Sequence, residues 1–383
     1  MNELPIVHLK EYEKGPEVIV DVPQVTTLLG DMSDVVGGKA LMCTNDRGLS
    51  LTVSRREDNV IRIINVVKQD KKKFTLNNPK YRKEDRWANA FKAIFSELGK
   101  HGYKFSGLNI IFGGVGAGSA PYSITASIFV GVLSLVEKLF SYRFSLEEKF
   151  SLCRAASTFS PGHPIRIRDV AVLLRAESGH VYLYDCESGE MEGQVFSLGG
   201  CRTYLLNSAL PYSVLTPEEE EYRSFALETF QAFQPSLKKG VRFCEYSEKE
   251  IRLMVGRLPD AQKRCLLHLH LGTEGASKAF QAIKEHDGKE FGRILSLSGR
   301  SNVVNAELSS PELDWIFRRG VEEPSVLGLT LVNVGIASTF LAAVQEVEEN
   351  PYQKHVEEYE RIFGFHSDVR PFVPSGSILL TQE

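Results

Sequence analysis

Ile110-Ile-Phe-Gly-Gly-Val-Gly-Ala-Gly-Ser-Ala-Pro-Tyr-Ser-Ile-Thr-Ala-Ser127 reads as an apolar strand passing through a glycine-rich loop into a helix, which the apolar run Ile128 to Phe140 continues. Gly113, Gly114, Gly116 and Gly118, then Ser119, Ser123, Thr125 and Ser127 at the helix start, give this stretch the composition of a phosphate cradle. Glycines let backbone N–H groups close around an anion, and a helix N-terminus adds free donors and partial positive charge. The alternative is a glycine-rich turn that binds nothing. Two common phosphate motifs are excluded here. No acidic strand end follows at about 20 residues, as a dinucleotide site requires, and the stretch has no Gly-Lys-Ser/Thr of a Walker loop.

The surrounding chain has 383 residues, enough for two domains and a large core. Apolar residues at 43% and charged residues at 25% are those of a soluble globular protein. A net charge of −4 gives no broad basic surface, so no nucleic-acid partner is expected. No apolar run approaches 18 residues, so no membrane span is expected. The start, Met-Asn-Glu-Leu-Pro, lacks a secretory pattern, and the six cysteines form no Cys-x-x-Cys pair, which together suggest a cytoplasmic protein with reduced thiols. His268 and His270 alternate on a strand or loop face, a weak metal pattern better read as ordinary surface or core histidines.

The hydrophobic pattern predicts strands at Val18–Val22, Leu49–Val53 and Val60–Ile64. The charged run Gln69-Asp-Lys-Lys-Lys73 reads as a solvated loop, and Trp87 to Leu98 as an amphipathic helix. Ser145-Leu-Glu-Glu148 and Thr216-Pro-Glu-Glu-Glu-Glu221 read as helix starts with N-caps and acidic first turns. Val181 to Tyr184 and Leu327 to Val332 follow as apolar segments, and Ile336 to Val347 reads as a buried helix. A last helix over Tyr352 to Phe363 and a strand over Asp368 to Phe372 precede a frayed tail. Strands and helices interleave without regular βαβ spacing, so the fold class is α+β, divided near Ala209-Leu-Pro211 into 1–210 and 211–383.

Several segments together resemble the galactokinase branch of the GHMP small-molecule kinases. Val22-Pro-Gln-Val-Thr-Thr-Leu-Leu-Gly-Asp-Met-Ser-Asp-Val-Val-Gly-Gly38 is similar to the signature A-P-G-R-V-N-L-I-G-E-H-T-D-Y-N-G-G. Asp46-Arg-Gly48, Trp87-Ala-Asn89, Gly116-Ala-Gly118, Leu152-Cys-Arg-Ala155, Gly179-His-Val-Tyr-Leu-Tyr-Asp-Cys-Glu-Ser188 and Ser310-Pro-Glu-Leu-Asp314 resemble further family segments in the same order. The resemblance implies a two-lobe GHMP fold, with a ribosomal S5 domain 2-like N-terminal lobe and a ferredoxin-like C-terminal lobe. It also implies transfer of the ATP γ-phosphate, with Mg2+, to the anomeric hydroxyl of galactose or a related sugar by a monomer.

Carried over residue by residue, the resemblance makes Asp169, eleven residues before His180, the catalytic carboxylate. The alternative for Asp169 is a plain acid at a strand end. Asp31, Ser33 and Asp34 fall on the sugar signature E-H-x-D, and Tyr222 on the sugar-contacting tyrosine of E-Y-N. Gly114, Gly116, Gly118, Ser119, Ser123 and Thr125 fall on the ATP loop, with Ser123 as the Mg2+ ligand.

The departures concern phosphate handling. Val25 stands where the family has an arginine, Met32 where it has the signature histidine, and Phe129 where it has a metal-binding glutamate. Arg166 or Arg168 beside Asp169 offers a substitute cation. Ser119 to Tyr122 carries an apparent insertion, and the third glycine motif survives only as Gly328 and Gly335. Two readings stay open: a sugar kinase, and a noncatalytic sugar- or nucleotide-binding pseudokinase with a regulatory role.

Overall fold

The computed structural model describes residues 3–114, 121–159, 165–210, 212–332, 339–346 and 351–382, with the side chains of 121–123, 212–220 and 382 left out. It forms two compact units. They are not consecutive halves. The first comprises Met1–Val25, Thr44–Ser178 and Ser375–Glu383, and the second Thr26–Cys43 and Gly179–Pro374. The units therefore do not follow the division at 210 and 211 expected from the sequence, because the chain passes between them inside two long strands and again near the end.

In the first unit, β12 (Leu379–Gln382), β1 (Val18–Leu29), β2 (Lys39–Arg55), β5 (Leu108–Gly113), β3 (Val60–Asn65) and β4 (Asp70–Thr75) are neighbours in that order. Alternation along β3 and β5 serves two faces. Ile61, Ile63 and Ile110 enter the main core beneath α2 (Ala88–Lys100), α3 (Pro121–Phe140), α4 (Leu146–Ser157) and α5 (Ile167–Arg175). Ile64 and Ile111 meet Leu4 of α1 (Leu4–Tyr12) on the other side. With both faces covered, β5 is buried along its whole length.

The expected strands at 18–22, 49–53 and 60–64 are present, as is the amphipathic helix α2. Ser145 caps α4 with a full capping box through Glu148. Asn89 of the Trp-Ala-Asn segment bonds both the N–H and the C=O of Arg82, so its role is structural. Two expectations need correction. The lysine run is the edge strand β4, antiparallel to β3, and its alternating burial puts Phe74 in the core while Lys71 and Lys73 face out; lysines suit an unpaired edge. The tail is not frayed, since β12 pairs Leu379–Gln382 with Asp21–Val18.

In the second unit, the start of β2 pairs with β6 (His180–Asp185), which pairs with β7 (Met191–Val195). A separate antiparallel sheet has the order β11 (Asp368–Pro371), β8 (Cys201–Asn207), β10 (Thr339–Gln345) and β9 (Val326–Val332). The helices here are α6 (Tyr212–Phe233), α7 (Glu248–Met254), α8 (Asp260–Lys284), α9 (Gly288–Val304), α10 (Pro311–Glu322) and α11 (Gln353–Phe363). The family-like Ser310-Pro-Glu-Leu-Asp314 is the N-cap of α10, with the Ser310 hydroxyl accepting from Leu313 N.

The buried helix expected over 336–347 is strand β10 where the structure describes it. Phe340, Ala342 and Val344 enter one core and Leu341 and Ala343 another. A strand covered on both faces has no apolar-polar alternation to reveal it. α6 starts at Tyr212 rather than after Thr216, which puts Pro217 inside the helix. A capping pattern marks where a helix is able to start, but the preceding residues extended this one. His268 and His270 stand on α8, not on a strand or loop. Gly328 of the degraded third motif is kept for packing, since a Cβ there would strike Gly292 O of α9 at 1.7 Å.

Candidate functional site

From Thr26 onward the signature segment lies in the second unit. After β1 the chain turns at Gly30, and Ser33–Val36 forms one 3-10 turn. Gly38 is required by close approach, because a Cβ would meet Thr273 Oγ1 of α8 at 2.4 Å. The same hydroxyl accepts from Lys39 N at 2.6 Å. Arg242 fixes the end of the segment: its guanidinium donates to Gly37 O and forks onto Asp185 at 2.8 and 2.9 Å. Burial pushes the Asp185 carboxyl up, but Arg242 and the N–H groups of Ser188 and Glu187 hold it below its ordinary value.

The segment is the wall of a small cavity of about 30 Å3, room for a water or two. Gly30, Asp31, Met32 and Ser33 line one side. His268 and Gly272 of α8, Ser298 and Asn302 of α9, and Leu331 of β9 line the other. Met32 can offer only apolar contact, and it is buried in the core. The His268 Nδ1 is 3.0 Å from Ser301 Oγ, and its ring meets that of Tyr222 edge-on at 5.9 Å. Desolvation pushes the His268 pKa down to about 4, against the opposing pull of Asp31 and Ser301, so the imidazole is neutral near pH 7. His270, two residues on, is a core residue with its ring edge-on to Phe243.

The expected sugar residues are thus split between two settings. Asp31 and Ser33 line the cavity. Asp34 is held by the guanidinium of Arg223 on α6, through both carboxylate oxygens. Tyr222, beside Arg223, turns its hydroxyl into the protein next to Cys265, and burial raises its pKa far above the ordinary phenol value.

Asp169 belongs to the first unit. It is the third residue of α5, not a strand end. Arg168 Nε is 3.9 Å from Asp169 Oδ1, with the Arg168 side chain only 2% exposed. Val25 packs against the hydrophobic core of the same unit, and Phe129 is 1% exposed within it. Of the phosphate loop, Gly114 is described, with a left-handed φ of 96°, and Thr125 is buried on α3. Gly116, Gly118 and Ser119 lie outside the described residues, as do the Ser123 side chain and residues 333–338 of the third motif. Of the two expected Mg2+ ligands, the Ser123 side chain lies outside the described residues, and Phe129, a benzyl group in the core, stands where the glutamate is expected.

His268, Asn302, Arg223 and Arg242 were not picked out from the sequence as site residues. The only sequence signal was the pair of histidines, a weak metal pattern better read as surface or core histidines, and His270 is a core residue.

No family model matches the chain. Curated relatives do. A Treponema pallidum protein that carries the galactokinase name provisionally is 27% identical over 374 residues, covering 95% of this chain and 93% of that protein. A Clostridium perfringens galactokinase is 24% identical over 376 residues, covering 96% of each. Among solved structures, Lactococcus lactis galactokinase complexed with galactose superposes with a TM-score of 0.86 at 18% identity, covering 99% of both chains. A mevalonate kinase superposes with a TM-score of 0.62 at 14% identity, over 94% of this chain and 99% of that one. The architecture is the two-lobe fold of the GHMP kinases. Within that superfamily the chain is similar to the galactokinases.

Proposed function

We propose that the protein is a sugar kinase that moves the γ-phosphoryl group of ATP to the anomeric oxygen of galactose or a related sugar. In that reaction the sugar O–H proton passes to Asp169. A P–O bond forms to the sugar and the bond to ADP breaks, with the ADP oxygens keeping the electron pair. The buried Arg168 guanidinium stands close enough to Asp169 to act as the positive charge that Val25 no longer supplies. The observation that supports this reading most is the retained signature segment, with Asp31 and Ser33 side by side on the wall of one cavity. The reading has the protein working as a cytoplasmic monomer on small molecules.

A second reading, sugar binding without turnover, is favoured by Phe129, which occupies the expected metal-ligand position as a core residue. One experiment separates the two. Purified protein is mixed with ATP, Mg2+ and galactose, and ADP release is followed beside the Asp169→Asn variant. ADP release that the variant lacks supports the kinase. Thermal stabilisation by galactose with no ADP release supports the binding protein.

A further inference from the structure

We infer that Arg242 is a positioning residue of the proposed sugar site, acting through Gly37 rather than on the sugar. It fixes where the turn that carries Ser33 and Asp34 ends. The inference rests on the sugar-kinase reading and adds a residue 205 positions from Gly37.

The turn closes on itself. The N–H groups of Gly37 and Gly38 both donate to Ser33 O, so the backbone of Ser33 goes where the two glycines go. Gly37 sits in the left-handed region with φ 60° and has no side chain to hold it there. The hold comes from outside the turn. Gly37 O accepts from the Arg242 guanidinium, and Gly38 O accepts from Cys186 N at 2.9 Å.

Arg242 is itself fixed at both ends. Phe243, the next residue, is 1% exposed, and its ring meets those of Phe230, Phe233 and His270 edge-on. At the far end the guanidinium forks onto both oxygens of Asp185 and pairs with Glu187. Asp185 is held in turn, since its Oδ1 accepts from Glu187 N at 3.0 Å and Ser188 N at 3.1 Å. The planar fork of an arginine serves Asp185 and Gly37 O in one geometry. A lysine ammonium, a point charge on a flexible stem, cannot. A shift of about 1 Å in a group that orients substrate is worth up to about a hundredfold.

The test is calorimetric titration of the full chain with galactose, beside Arg242→Ala, Arg242→Lys and Asp185→Asn. Arg242→Ala is expected to raise the galactose Kd at least about tenfold, with Arg242→Lys between it and the wild type. Asp185→Asn is expected to move the Kd the same way, because a carboxamide offers the fork one acceptor oxygen instead of two. Binding stoichiometry stays at the wild-type value in all three. In ADP-release assays the KM for galactose rises and the KM for ATP does not. A merely structural role gives the opposite pattern: fewer competent molecules, so stoichiometry and rate fall while the Kd and both KM values hold. That pattern, or no change at all, overturns the role of Arg242 and leaves the kinase reading standing. If Arg242→Ala fails to fold, Arg242→Lys and Asp185→Asn, which keep the charge or the shape, decide the question. A wild type that neither binds galactose nor releases ADP overturns the sugar-kinase reading, and the role of Arg242 with it.

Discussion

Asp31 and Ser33 keep polar side chains on a cavity, and Asp34 keeps a charged partner, whereas Val25 and Phe129 pack into the hydrophobic core of the other compact unit. The first three sit where the galactokinase resemblance expects sugar contacts. The last two sit where it expects an arginine and a metal-binding glutamate. A polar residue on a cavity can change and leave the fold alone. Once a position has become part of a packed core, its neighbours have adapted to it, and restoring the old side chain costs stability. Changes at the expected sugar positions therefore leave the fold alone, whereas the residues at the two expected phosphate positions are part of the packed architecture.

The sharpest way to break this contrast is Phe129→Glu. Placing a carboxylate among residues such as Val22 and Leu51 of the same core is expected to cost at least about 4 kcal/mol, seen as a large drop in the urea midpoint. A stable variant that gains Mg2+-dependent ADP release would show that the position still belongs to the active centre. Next in size is Asp169→Asn. A proton acceptor at the reacting hydroxyl contributes about 10²–10⁴-fold, so ADP release is expected to fall by that factor with galactose affinity held. Loss of affinity instead would move Asp169 to the sugar side of the comparison.

Two histidines, one in each unit, give the third prediction. His8 is buried, with Nδ1 at 3.1 Å from Thr52 O and Nε2 at 2.9 Å from Ser54 Oγ. Burial pushes its pKa down to about 4, as it does for His268. The unfolded chain binds these protons near pH 6.5 and the folded chain only near 4. The stability they confer is thus complete above pH 6.5 and is lost as pH falls from 6.5 to 4, by on the order of 2 kcal/mol for each imidazole. Urea unfolding at a series of pH values checks this, and His8→Gln is expected to flatten the profile in part, the remainder coming from His268 and from His270, whose pKa burial also lowers. A profile that is flat for the wild type rules out both assignments.

The smallest effect is expected at Arg223→Asn. Arg223 occupies both oxygens of Asp34, so a sugar hydroxyl has to compete with it. Removing the guanidinium is expected to lower the galactose Kd a few-fold, and to cost under about 1 kcal/mol of stability because the pair is partly exposed. Weaker galactose binding in the variant would instead make Arg223 a supporting residue of the sugar site.

Much of the fold could be read locally. The capping box at Ser145, the helical spacing from Trp87 to Leu98 and the alternation at Val60–Ile64 each carry their own signal. The misread elements share a cause. β10 has both faces in cores, β4 hides one core side chain, Phe74, among lysines, and β12 owes its order to strand β1 far away in sequence. None of these environments is visible within a ten-residue window. The site divides in the same way. Asp31, Ser33, Asp34 and Asp169 are candidates because contiguous motifs carry them. Asn302 and His268 reach the cavity from helices more than 200 residues away from the signature segment, and no spacing rule links them to it.

The pairing of β12 with β1 also bears on how the protein is made. Asp21 waits for Leu379, more than 300 residues further along the chain. At ordinary ribosomal rates that interval lasts roughly 15–70 s. Throughout it, β1 offers a bare row of backbone donors and acceptors to any passing strand. Expression yield is therefore expected to respond to whatever is fused just after Gln382, and to chaperone supply late in translation, more than to changes at the N-terminal helix.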